Sequence, residues 1–251
     1  MNVLEAQNIS VERGGRRVVR ALSAALEPGT MTAICGPNGA GKSSLLLALA
    51  GLLPTAEGAV SLGQRALESY PAAERARKVG YLPQGADVAW DVSVESLVAL
   101  GRHPHGDARG AGRDAIATAL AATQMEAFRS RPVSQLSGGE KARALLARVL
   151  AGEPDWILAD EPLAALDLAH QLRLIGHLRS RADAGQGVVI VLHDLALAMN
   201  HADRVLVLDE GALAADGAPE EALDPAVVSR VWGVEARWLG EQGARALVAR
   251  G

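Results

Sequence analysis

The stretch Met31-Thr32-Ala33-Ile34-Cys35-Gly36-Pro37-Asn38-Gly39-Ala40-Gly41-Lys42-Ser43-Ser44-Leu45-Leu46 decides how this chain is read. Residues 32–35 form a short apolar run that reads as a buried strand, and residues 43–53 read as a helix. Between them, Gly36 to Ser43 fits G-x-x-x-x-G-K-[ST] in the required strand–loop–helix context. The glycines let consecutive N–H groups turn inward around phosphate oxygens, where a Cβ would obstruct them. The start of the helix adds aligned N–H groups and partial positive charge. Lys42 supplies a full charge to the β- and γ-phosphates, and Ser43 offers a hydroxyl to Mg²⁺. A Gly-rich connector with no ligand has a similar composition, but the strand before and the helix after favour phosphate. Alone, the motif says nucleotide and nothing more.

Working outward, residues 156–159 (Trp-Ile-Leu-Ala) read as another buried strand, and it ends in Asp160-Glu161. Carboxylates leaving the C-terminal end of a parallel strand lie on the edge where α/β sheets place ligands. Adjacent carboxylates repel unless a cation sits nearby. Asp160 is therefore assigned to the shell of Mg²⁺, and Glu161 to orienting or deprotonating the attacking water. The alternative is an acidic cap before Pro162.

Further apolar runs at 31–35, 79–82, 188–192 and 205–208 alternate with helical patterns, which predicts a largely parallel sheet. Residues 4–11 and 18–26 read as an antiparallel pair joined at Gly14 and Gly15. From 85 to 151 the texture changes to helices over 94–102, over 113–128 and after Gly139, with Gly- and His-rich loops between. The expected layout is an α/β core of 1–84 and 152–216, a helical insert over 85–151 and a C-terminal extension over 217–251. In that extension 219–223 and 225–231 read as a turn and a helix, followed by a short tail. The 251 residues carry a net charge of −4, which gives nucleic acid no electrostatic footprint, and one cysteine, Cys35, which excludes an internal disulfide. The longest apolar run, 45–53, is far below the ~20 residues of a membrane span, so any membrane role is expected to pass through a partner.

Leu136-Ser137-Gly138-Gly139-Glu140 opens an amphipathic helix with Ala142, Leu145, Leu146, Val149 and Leu150 on one stripe. Ser-Gly-Gly at such a start either caps the helix or offers a second phosphate cradle. With this element the chain resembles an ABC-transporter ATPase over its whole length. The ordered set is Gly36 to Ser43 (Walker A), Gln84 in Tyr81-Leu82-Pro83-Gln84 (Q-loop), Leu136 to Glu140 (signature), Ile157 to Glu161 (Walker B), Ala164 to Asp167 (D-loop) and His193 in Val191-Leu192-His193-Asp194 (H-loop).

The resemblance implies a mixed sheet core with an antiparallel β lobe and a helical insert. ATP and Mg²⁺ are the implied cofactors. It extends the phosphate cradle through Ser44, places Gln84 on Mg²⁺ and water while it touches a membrane partner, and places His193 on the γ-phosphate. It also implies a two-fold dimer in which Ser137, Gly138 and Gly139 of one copy close on ATP held by the other. Two departures stand out: the early aromatic that stacks on adenine is replaced by Val11-Glu12-Arg13, leaving Arg13 as the candidate, and the usual D-loop Ser is Ala164.

Three segments resemble ATPases that drive bacterial importers of ferric siderophores, haem or cobalamin. They are Leu100-Gly101-Arg102-His103-Pro104-His105, Leu166-Asp167-Leu168-Ala169-His170-Gln171 and Val231-Trp232-Gly233-Val234. The expected partners are a second copy, integral-membrane permease subunits and, indirectly, a periplasmic substrate-binding protein. The expected place is the cytoplasmic face of the inner membrane. Other transporter classes, and soluble ABC ATPases of repair or translation, are the alternatives. His103 and His105 are expected to be structural or permease contacts rather than metal ligands. Trp90 is either an interface anchor or packing.

Overall fold

The computed structural model describes residues 2–85, 91–106, 112–164 and 166–250, so Trp90 lies outside the described residues. The chain opens with an antiparallel pair, β1 (Leu4–Arg13) and β2 (Arg16–Leu26), turning at Gly14 and Gly15. β3 (Met31–Cys35) feeds the phosphate-loop motif and α1 (Lys42–Leu49). Then β4 (Glu57–Leu62) and β5 (Arg65–Ala66) return to the first pair, making a four-stranded antiparallel lobe in the order β2-β1-β4-β5. α2 (Ala72–Lys78) leads into β6 (Val79–Leu82).

A helical section follows, with α3 (Val94–Ala99), α4 (Arg113–Ala122) and α5 (Gly138–Ala151). The α/β pattern resumes with β7 (Trp156–Ala159), α6 (Leu168–Asp183), β8 (Gly187–Val191), α7 (Leu195–His201), β9 (Arg204–Asp209) and β10 (Ala212–Gly217). The chain closes with α8 (Pro219–Ala222), α9 (Pro225–Trp232) and the hairpin β11 (Glu235–Leu239) and β12 (Ala246–Arg250).

The main sheet runs β10-β9-β3-β8-β7-β6, parallel throughout except for β10. Its central strands are buried at every position, as expected of a sheet covered on both faces. The two-residue period divides their side chains. Met31, Ala33, Cys35, Ile157, Ala159, Val188 and Ile190 face α5, α6 and α7. Ile34, Trp156, Leu158, Val189 and Val191 face the other way, toward α1 and the antiparallel lobe. α1 is thus clamped between two sheets, which holds the phosphate loop at its N-terminus rigidly. Truncating a fully buried side chain such as Leu158 to Ala costs about 2–5 kcal/mol. Among the described residues no helix is long and apolar enough to cross a membrane.

Three expectations need correction. The helix over 94–102 ends at Ala99, and the chain tightens into a 3-10 turn over Leu100–His105, where Pro104 lacks the N–H that an α-helix requires. The helix over 113–128 stops at Ala122. There the Thr123 hydroxyl bonds back to Ala119 O, Gln124 takes a left-handed φ of 57°, and the Arg143 guanidinium collects the Thr123 and Gln124 carbonyls. The tail is a β-hairpin. Ala236 and Trp238 alternate inward against the core, and the Trp238 indole donates to Leu223 O at 2.8 Å.

Candidate nucleotide site

The loop after β3 wraps the start of α1, and two of its glycines are required by close approach. A Cβ on Gly36 would sit 2.2 Å from Leu208 O, and one on Gly41 2.2 Å from Val18 O. Gly41 also holds φ 96° and caps α1 without a side-chain bond, so the helix start is left to a ligand rather than to a capping side chain. Arg13, Val18, Asn38, Gly39, Gly41, Lys42, Ser43, Ser44 and Glu161 line a cleft of about 250 Å³. Arg13 therefore reaches the same cleft as the loop. Ala40 is buried behind it, its N–H donating to Pro37 O at 3.2 Å.

Lys42 is 5% exposed, and its ammonium donates to Gly36 O and Pro37 O at 2.9 Å each. Burial pushes its pKa below the ordinary lysine value, against the charges of Glu161, Cys35 and Asp160. Asp160 is equally buried, and burial pushes its carboxyl up, while bonds from Ser43 and Tyr81 pull it down. The Ser43 hydroxyl donates to Asp160 Oδ1 at 3.0 Å and the Tyr81 hydroxyl to Oδ2 at 3.3 Å. Each charge is thus disfavoured by its surroundings. A polyanion beside Lys42 and a cation beside Asp160 would relieve both. The hydroxyl–carboxylate pairing of Ser43 and Asp160 offers the hard oxygen donors that Mg²⁺ takes. The residues fit the group.

Glu161 closes the cluster. Its backbone adopts a left-handed φ of 44°, an uncommon conformation for a non-glycine residue. Its Oε1 lies 2.6 Å from His193 Nε2, and its Oε2 accepts from Gln84 Nε2 at 2.6 Å. The three side chains assigned to catalysis thus form one unit, with Gln84 at the end of β6, Glu161 at the end of β7 and His193 at the end of β8. Asp194 caps α7 behind His193, accepting from Ala196 and Leu197 N–H.

Ser137, Gly138 and Gly139 do not line this cleft. They start α5 as a full capping box: the Ser137 hydroxyl accepts from Glu140 N–H, and the Glu140 carboxylate accepts from Ser137 N–H at 2.8 Å. Within one chain the two phosphate-cradle motifs stay apart.

The family profile described as ABC transporter matches residues 19–164. The chain belongs to the ABC transporter family. It is 45% identical over 229 residues to the hemin import ATP-binding protein HmuV of Streptomyces coelicolor, covering 90% of this chain and 82% of that protein. It is 41% identical over 255 residues to the HmuV of Pseudomonas aeruginosa, covering 99% of this chain and 100% of the relative. A chain described as from an inward-facing metal-chelate type ABC transporter has the same fold, with a TM-score of 0.85 at 24% identity over 100% of this chain and 98% of that one. A nucleotide-free ATP-binding cassette from an ABC transporter aligns with a TM-score of 0.81 at 22% identity, covering 93% and 96%. As a member of this family the chain is an ATP-binding, ATP-hydrolysing subunit.

The importer-like segment Leu100–His105 takes a structural place. Arg102 donates to Ala151 O at 3.0 Å, and the His105 ring bonds Gly152 O at 2.9 Å, so both cap the C-terminal end of α5. His105 is a cap, as the structural alternative held. Sequence reasoning did not single out Tyr81 for its bond to Asp160. An aromatic residue within a short strand looks like filler, and only the parallel pairing of Tyr81 with Leu158 brings it beside the carboxylate. Cys35 is wholly buried, and burial pushes its thiol up to about 12, so it is inert packing.

Proposed function

We propose that this subunit hydrolyses ATP, with Mg²⁺, to energise a membrane importer of haem or a related iron chelate. The observation that carries the chemistry is the Glu161 carboxylate gripped on one oxygen by His193 and on the other by Gln84, at the edge of the Lys42–Ser43 cleft. The identity to hemin import ATP-binding proteins over nearly the whole chain supports the cargo class.

In this reading Gly36, Pro37, Asn38, Gly39, Ala40, Gly41 and Ser44 shape the phosphate cradle, Lys42 binds the β- and γ-phosphates, and Arg13 covers the base with its planar guanidinium. Ser43, Asp160 and Gln84 would hold Mg²⁺, which when bound would neutralise charge growing on the phosphate oxygens. Glu161 orients the attacking water and takes its proton, and His193 fixes the carboxylate's rotamer and reaches the γ-phosphate as the site closes. The segments 1–84 and 152–216 act as the core, 85–151 as a helical subdomain and 217–251 as an extension.

Because Ser137, Gly138 and Gly139 lie outside the cleft, a second copy completes the site, and a two-fold dimer opens and closes with the γ-phosphate. The permease is assigned to the groove of about 420 Å³ bordered by α2, the Leu100–His105 turn and Tyr81. Its rims carry Leu52 and Leu100, 56% and 51% exposed, and Arg75 and Arg148 stand in it with no carboxylate among the described lining residues. That chemistry suits a short permease helix with apolar residues and one acid. A periplasmic binding protein delivers the chelate to the permease, and the subunit rides on the cytoplasmic face of the inner membrane.

The test reconstitutes the chain with the permease encoded beside it in liposomes and measures ATP turnover with and without hemin-loaded binding protein. Stimulation by hemin and at least ~10²-fold loss in Glu161→Gln, with ATP still bound, are expected. Unchanged turnover in Glu161→Gln removes Glu161 from its role, and indifference to hemin removes the cargo.

A further inference from the structure

The N-terminus of α6 is pressed against the signature turn. A β-carbon built on Gly139 would lie 2.1 Å from His170 Cδ2, 2.5 Å from Cγ and 2.6 Å from Nε2. The imidazole therefore fills the volume that a side chain at position 139 would occupy. The ring is held there from behind. Its Nδ1 lies 2.7 Å from Asp167 Oδ1, and the same oxygen accepts the His170 backbone N–H at 2.8 Å as the cap of α6. Those two bonds, the backbone one first, hold the Asp167 carboxyl below the usual range, so the acceptor stays ionised.

On its other flank the turn is fixed by the Ser137–Glu140 capping box. Ser137 and Gly139 thus sit between two anchors, one on their own helix and one on the helix that follows the D-loop. We propose that His170 is a positioning residue for ATP hydrolysis: its ring is a wedge that sets where the 137–139 turn of one protomer meets the nucleotide on its partner. The wedge rests on the two-copy site proposed above.

Hydrogen bonds to phosphate are made at 2.7–3.2 Å and weaken steeply outside that range. Removing the ring leaves a ring-sized gap beside a glycine, and the turn then relaxes away from its contact distance. The wedge acts on closure rather than on the chain's own cleft. Its loss is therefore read in the ATP concentration needed to form the dimer, while ATP capture by a single chain stays unchanged.

The experiment uses the purified full-length chain in the hydrolysis-deficient Glu161→Gln background. Sedimentation velocity follows dimer formation against Mg-ATP, and a fluorescent ATP analogue at high dilution reports single-chain affinity. His170→Ala should raise the ATP concentration for half-maximal dimer by about tenfold with single-chain affinity within twofold of the parent. His170→Asn keeps a donor for Asp167 but loses the ring, and should behave like His170→Ala. His170→Phe keeps a ring and should recover most of the loss. Gly139→Ala should also impair the dimer, and Gly139→Ala/His170→Ala should be no worse than Gly139→Ala alone, because both act on one contact.

A His170→Asn variant that dimerises like the parent overturns the wedge and leaves the histidine as a helix cap. So do strictly additive effects in the double variant. Should His170→Ala fail to fold, His170→Asn carries the comparison. Ser137→Ala separates the two levels of the reading: if it also dimerises normally, the two-copy site falls, whereas if it alone abolishes the dimer, only the wedge falls.

Discussion

Replacing Asp160 with Asn measures how much stability the protein gives up to keep this buried carboxylate, the proposed Mg²⁺ ligand, in place. Asp160 is 5% exposed, and burial is the main influence that raises its pKa. The Ser43 and Tyr81 bonds act against it, the Glu161 charge adds to it, and Lys42 opposes it. A folded-state pKa above the ordinary 3.8 means that the native protein takes up the proton more readily than the unfolded chain. At neutral pH the ionised group therefore lowers stability. The amide keeps an oxygen for the Ser43 hydroxyl and turns its NH₂ to the Tyr81 hydroxyl, which can accept, so at most one weak bond is lost.

Removing the desolvated charge should raise nucleotide-free stability by about 1 kcal/mol, a rise in Tm of roughly 2–4 °C for a chain of this size. Mg-ATP at a hundred times its Kd stabilises the parent by about 2.7 kcal/mol, and the variant, short of the proposed metal ligand, should gain far less. The order of the two melting curves should therefore invert when Mg-ATP is added. Scanning calorimetry at pH 7, with and without nucleotide, reads this directly. On acidification the parent's Asp160 takes up its proton and comes to resemble Asn. The nucleotide-free gap should thus close as pH falls through the folded-state pKa and vanish below 3.8. A variant that melts below the parent without nucleotide, or a gap that widens on acidification, refutes the account.

Lys42→Ala removes the buried ammonium from the cleft and should weaken binding of a fluorescent ATP analogue at least tenfold, about 1.4 kcal/mol, by equilibrium titration. Arg102→Ala deletes the bonds to Ala151 O and the Glu153 carboxylate and should cost about 1–3 kcal/mol by denaturant unfolding, with nucleotide affinity unchanged. Asn200→Ala breaks the reciprocal pair with the Arg245 backbone, at 2.8 Å in each direction, and should speed amide exchange across β11 and β12 while β8 and β9 stay protected.

The phosphate loop was legible because its chemistry is local. A strand, a glycine-rich turn and a helix start are contiguous in the chain, and each residue's task follows from its neighbours. The strands 31–35 and 156–159 were legible because burial at every position leaves a short, largely apolar run. β4 and β5 were not picked out, since Glu57–Leu62 carries Gly and polar residues and is a strand only because β1 supplies its partner. The terminal hairpin was hidden for the same reason. Glu235–Leu239 gains its inward face only once α8 and α9 are in place to receive Trp238.

The limit falls differently within the site. Gln84, Glu161 and His193 were picked out one at a time, Glu161 from its place after a buried strand and the other two on family motifs. What no linear pattern carries is that Gln84 and His193 take the two oxygens of a single carboxylate, because the contact depends on β6, β7 and β8 ending at one edge in adjacent sheet positions. The left-handed φ of 44° at Glu161 belongs to the same class. It lies where the buried strand ends and the two side chains meet the carboxylate, so it is seen only in the assembled edge. A carboxylate held on both oxygens has a fixed orientation, and that is what the proposed role of orienting one water molecule requires. The geometry on which the proposed chemistry rests therefore exists only after the sheet has formed.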